Sequence, residues 1–120
     1  MENERLKMLK QICEIAGILY PYLLNPIYAE RSPFVENPLL SSQLNKIQFD
    51  VSLYGKNDEI EAVSCFVKAL IEKDIKKLET AWNILMPMAL NRFRIENGLE
   101  PLTIVQKTVK KAKNVIPFKK

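Results

Sequence analysis

Histidine is absent from the 120-residue chain, which removes the commonest general base, the commonest neutral-nitrogen metal ligand and every Ser-His or Cys-His nucleophile. Cysteine occurs twice, at Cys13 and Cys65, with no Cys-x-x-Cys spacing. That excludes a zinc clip or a thioredoxin-type pair and reads as two free, buried thiols in a reducing compartment. Three glycines are too few for many tight hairpins, and no segment alternates with period two, so strands are not expected. The chain also lacks Gly-x-x-x-x-Gly-Lys-Ser/Thr, Gly-x-Gly-x-x-Gly and a serine flanked by the glycines of a nucleophile elbow, so enzyme readings are weak and no cofactor or metal is implied. The longest uncharged run, Ile15 to Ala29, contains Gly17, Pro21 and Pro26 and is shorter than the roughly 20 residues of a spanning helix. Glu2, Glu4 and Glu14 break up any signal-peptide pattern. The expectation is a cytoplasmic protein without membrane insertion.

What is present suits one folded domain: 48% hydrophobic and 27% charged residues, in a chain long enough to bury a single core. Leu6, Leu9, Ile12, Cys13, Ala16, Leu19 and Tyr20 recur at helical spacing, and Pro21 is expected to kink or end that helix. Pro21 to Pro38 holds four of the seven prolines and reads as an irregular connection held against the core by Tyr22, Tyr28 and Phe34. Asn37-Pro38 has the form of a helix start. Leu40, Leu44, Ile47, Val51 and Tyr54 then form one stripe, with Gly55 as a left-handed terminator. Asn57 is the expected cap of the next helix, with Asp58, Glu59 and Glu61 favoured by its dipole. Ile60, Val63, Val67 and Leu70 supply its buried stripe, widened by Phe66 and Ile71.

Asp74 opens a further helix through Leu78, Trp82, Leu85, Ala89 and Phe93 to Gly98. Pro87 within it predicts a kink near Asn83 to Pro87 or two shorter helices. Met86-Pro87-Met88 with Trp82 fits either core packing around a bend or an adaptable hydrophobic docking surface. Thr103 and Gln106 form a capping box ahead of a stripe of Leu102, Val105, Val109, Ala112 and Ile116, opposite Lys107, Lys110 and Lys111. The fold class is therefore all-α: a small bundle of four to five mostly antiparallel helices with a Pro-rich connection after the first. Residues 1–100 form its core and residues 101–120 a basic amphipathic helix of the same domain.

Charge divides along the chain. Residues 101–120 carry six lysines and no acid, whereas residues 1–100 carry twelve Lys+Arg against fourteen Asp+Glu. The lysines of the last helix can be a solvated face, while Leu102, Val105, Val109 and Ile116 are candidates to dock on a partner protein or a second copy of the chain. Lys107, Lys110, Lys111 and Lys113, with Arg92 and Arg94 flanking Phe93, are candidate anion contacts, so nucleic-acid binding is the alternative. The order Val51-Ser-Leu-Tyr-Gly55, an acid-capped helix, and a Trp-containing helix closing in Arg94-Ile-Glu-Asn-Gly-Leu99 resembles uncharacterised small helical proteins of bacteria and phages. That resemblance implies a helical fold and a prokaryotic or phage origin, and no activity. Together these features predict a non-enzymatic, self-associating interaction module.

Overall fold

The computed structural model describes residues 3–24 and 32–102. The chain is all-α, with helices α1 (Glu4–Leu24), α2 (Pro33–Glu36), α3 (Leu40–Tyr54), α4 (Asn57–Glu72) and α5 (Ile75–Glu96), and no strand among the described residues. The four long helices pack as neighbours around a ring, α1 on α3, α3 on α4, α4 on α5 and α5 on α1, while α2 rests on α3. Turns of two residues, Gly55-Lys56 and Lys73-Asp74, force α3, α4 and α5 to run antiparallel in succession.

The amphipathic stripes become the core. Leu40, Leu44, Ile47 and Val51 of α3 are buried, as are Val63, Phe66, Val67 and Leu70 of α4 and Leu78, Trp82, Leu85 and Ala89 of α5. In α1 the buried face is wider than the expected stripe, because this helix packs on both α3 and α5; Met8, Ile15 and Tyr22 join Leu9, Ile12, Ala16 and Leu19. Ile71 does not widen the α4 stripe but is exposed, and Tyr54 lies at the exposed edge. Phe34 packs on the core beside the buried Tyr22. Tyr28 lies outside the described residues.

Several local expectations are corrected. Helix α1 continues through Pro21 to Leu24. Gly17, whose carbonyl Pro21 cannot serve with an amide, is exposed, so water can take that bond. Of the two outcomes expected at Pro87, the two shorter helices are not seen: α5 is one helix through the buried Pro87. Asn37 ends α2 instead of starting α3: its side-chain amide donates to the Pro33 carbonyl (3.0 Å), and α3 begins at Leu40. Lys56, not Asn57, is the α4 N-cap, and the Glu59 carboxylate accepts its backbone N–H at 2.8 Å. Gly55 is extended (φ −92°), not left-handed. Glycine is needed there for room, since a Cβ would stand 2.5 Å from Val51 Cγ2 and 2.6 Å from the Val51 carbonyl oxygen. Asp74 caps α5 as expected, accepting from the Lys77 amide at 3.1 Å. Gly98 closes α5 in the left-handed conformation (φ +81°), with Leu99 N–H on the Arg94 carbonyl (2.8 Å) and Gly98 N–H on that of Ile95 (2.9 Å), the paired bonds of a Schellman turn. Neither cysteine is fully buried: Cys13 is half-buried, Cys65 is exposed, and both are free.

Candidate functional site

Four charged side chains with perturbed acidity, Arg5, Asp58, Glu59 and Arg92, gather where four helix ends meet. Glu59, in the first turn of α4, is 2% exposed. Its Oε1 accepts from Arg5 Nη1 (2.7 Å) and the Lys56 amide (2.8 Å). Its Oε2 accepts from Arg5 Nη2 and Arg92 Nη1, both at 2.7 Å. Four donors converge on one carboxylate, which satisfies its lone pairs. Arg5, from the start of α1, also reaches the Tyr54 carbonyl at the end of α3 (3.0 Å) and both oxygens of Glu96 at the end of α5 (2.8 and 2.9 Å). Arg92 completes the node with a two-pronged bond to Asp58 (2.9 and 2.6 Å).

Electrostatics follow from this geometry. Burial pushes the Glu59 carboxyl up, but Arg5, the Lys56 amide and Arg92 together outweigh it and hold the group at about 2. Arg92 holds Asp58 at about 2. The acids are therefore ionised at every physiological pH, and neither is poised to exchange a proton near neutrality. No group of three or more Cys, Asp or Glu side chains among the described residues could hold a metal. The node binds helix ends to one another, with Glu59 at its centre accepting from four donors.

A second region on the same two helices is open. The outer side of the α4/α5 pair carries a groove formed by adjoining cavities that share Ile84. Cys65, Lys68 and Glu61 line its α4 wall, and Ala81, Ile84 and Met88 its α5 wall. Towards the end of α5 the lining becomes Pro87, Ile95, Pro101 and Leu102. Ile84 and Ile95 are each about half exposed, at 52% and 53%. Helix α3 also exposes Phe49 and Leu53, which line none of these cavities. Cys13, outside the groove, is half-buried, and burial and Glu14 push its thiol up to about 11, whereas Cys65 is exposed.

The residues singled out from sequence divide between these regions. Arg92 belongs to the charged node, its guanidinium turned to Asp58 and Glu59. Arg94 donates through Nε to the Glu100 carbonyl at 2.7 Å, locking the turn after α5. Leu102 is half-buried at the groove's end, where its N–H donates to Asn91 Oδ1 at 2.6 Å. Val105, Val109 and Ile116, and with them Lys107, Lys110, Lys111 and Lys113, lie outside the described residues. Trp82 is buried, donates from Nε1 to the Ala16 carbonyl (2.8 Å) and packs on the Tyr20 ring (centroids 5.1 Å apart), so it joins α5 to α1. Met86 packs on the core, whereas Met88 meets both core and groove. The groove itself is not evident from sequence; its one signal is Ile84, an isoleucine that the α5 core stripe leaves out.

Among the described residues no helix is long and apolar enough to cross a membrane. Comparison with known proteins finds no matching family model, no matching curated protein and no matching solved structure.

Proposed function

We propose that the chain is a non-enzymatic interaction protein that self-associates through the α4/α5 face. The observation that carries this reading is the apolar groove centred on Ile84, a surface whose burial by a second copy would remove half-exposed isoleucines from water at about 25 cal/mol per Å². The charged node supports it from the other direction, because its ionised groups are occupied by one another. Two free thiols suit a reducing compartment, and the cytoplasm is the compartment we assign.

Light scattering on the full chain tests the reading. It expects a concentration-dependent dimer at micromolar to 100 µM protein that Ile84→Glu converts to monomer and Phe49→Glu leaves intact. A monomer throughout this range, or a dimer lost with Phe49→Glu instead, refutes it. Nucleic-acid binding through Lys107, Lys110, Lys111 and Lys113 is the alternative. It predicts retention of DNA or RNA at low salt with affinity falling steeply as salt is added, and no retention at low salt rejects it.

A further inference from the structure

The charges along the α4/α5 groove differ in sign between its two ends. Two of its cavities meet at a waist where both are lined by Cys65, Ala81 and Ile84. To one side of the waist the lining carries Lys68, Lys76 and Lys77 with a single acid, Glu72, and to the other it carries Asp58 and Glu61. Lys77 lies 3.7 Å from Glu72 and Arg92 lies 2.6 Å from Asp58, so these four answer one another within the chain. Glu61, Lys68 and Lys76 are exposed, and none of the three has an ion-pair partner among the described residues. Glu61, Cys65 and Lys68 follow one another at steps of four and three, which sets them on one face of α4. Glu61 and Lys68 are two turns apart, about 10 Å along the axis, with Cys65 between them.

A face of this pattern complements itself in one direction only. In a two-fold interface the same patch serves both copies, so that residue i meets j and j meets i. If the α4 helices ran parallel, Glu61 would meet Glu61 and Lys68 would meet Lys68, opposing like charges. If they run antiparallel about an axis at Cys65, acid meets base twice and the waist of one copy lies on the waist of the other. Asp58 then falls opposite the partner's Glu72. Those two acids are already matched by Arg92 and Lys77, and Lys76, which lines the same cavity as Glu72, adds a further cation there.

We infer that two copies of the chain join through this groove with their α4 helices antiparallel about a two-fold axis at Cys65, Glu61 of each protomer facing the partner's Lys68. The inference rests on reading the groove as the face of self-association, and it adds the direction and register of the pair.

Charge exchange and a thiol tether test it in the full chain. Glu61→Lys and Lys68→Glu are each expected to weaken the dimer roughly tenfold, because each turns two attractive contacts repulsive, and the double variant Glu61→Lys/Lys68→Glu to restore it. Sedimentation equilibrium reads the dissociation constants, and circular dichroism at dilute protein reports that each variant is folded. In the Cys13→Ser chain, where Cys65 is the one remaining thiol, bismaleimidoethane is expected to give a covalent dimer, whereas Cys13→Ser/Cys65→Ser/Phe49→Cys gives none. Single variants as tight as the native chain, or a dimer that Cys65 does not tether, overturn the inference. The two readings fail separately. A dimer lost with Ile84→Glu but indifferent to the charge exchanges and untethered at Cys65 removes the antiparallel register and keeps the face. A chain that is monomeric throughout removes both, leaving the groove to a partner of different sequence or to another segment of its own chain.

Discussion

Helices α4 and α5 present two surfaces of opposite character. At the end where α1 begins and α3 terminates, Glu59, Arg5, Arg92 and Asp58 are paired with one another, and Glu59 accepts from four donors. Along the outer side the same two helices leave an open trough in which Ile84, Ala81 and Met88 are flanked by Lys68, Glu72 and Lys77 at one end and Asn91 and Arg92 at the other. Strong charge is the more conspicuous feature and the less informative one about function. An ion-pair node that is complete within the fold is architecture, whereas apolar area left uncovered is the feature that asks for a partner.

Substitutions at each surface should separate these roles. The largest effect belongs to Glu59→Ala, which removes a buried carboxylate from two part-buried guanidinium groups and strips the Lys56 cap; loss of one member of a buried pair costs about 3–5 kcal/mol. Because Arg5 keeps Glu96 and Arg92 keeps Asp58, urea denaturation should show the lower end of that range. A loss below about 1 kcal/mol would mean that the node is ornamental and the contrast false.

The same node fixes the acid response. The Glu59 carboxyl falls from its ordinary value of 4.5 to about 2 on folding, so the unfolded chain binds the proton first and stability must decline as pH drops. The contribution is complete above about pH 4.5 and is lost as pH falls through about 2. Midpoints of denaturation followed across this window should fall in the native chain and fall less in Glu59→Ala.

Gly55→Ala comes next. The new methyl would overlap Val51 at 2.5 Å, and overpacking of this kind costs about 1–3 kcal/mol; the φ of −92° contributes no strain of its own, so the deficit should shrink when Val51→Ala is added to it, compared with Val51→Ala alone.

The smallest expected change in stability is that of Ile84→Glu, within about 0.5 kcal/mol of the native chain, since the residue is half exposed. Thermal melts at dilute protein check it. A loss of several kcal/mol would show that Ile84 holds the bundle together and would erase the distinction between closed node and open groove.

How much of this can be read in the sequence depends on whether the information is local. The α3 stripe of Leu40, Leu44, Ile47 and Val51 is a pure periodicity and is buried as expected. Met8 and Ile15 escape the expected stripe although they share a four-three spacing with Ile12, Leu19 and Tyr22; that α1 buries this second stripe as well follows from its packing on both α3 and α5. Gly55 reads correctly as a helix end but for conformational freedom, when the need is space against Val51. Pro21 and Pro87 signal a kink or an end, and of these the end is not seen, both helices running on, since one missing amide is tolerable where packing fixes the rest of the helix. Glu59 is indistinguishable from Asp58 and Glu61 as an acid near a helix start, because its partner Arg5 lies 54 residues away. The fold class is legible; the long-range pairs that make its node are not.

Arg5 has a consequence for the order of events during synthesis. Its partners Tyr54, Glu59 and Glu96 follow it by 49, 54 and 91 residues, so this arginine waits for the end of α5 to be made before its bonds are complete. At about 5–20 residues per second, that interval is roughly 5–20 s. Helix α1 spends it with its charged end unmatched and its broad apolar face covered only by the helices already made. The nascent bundle is thus most vulnerable to misassociation between the completion of α3 and the arrival of Glu96, when the last of the far-separated contacts finally closes the ring.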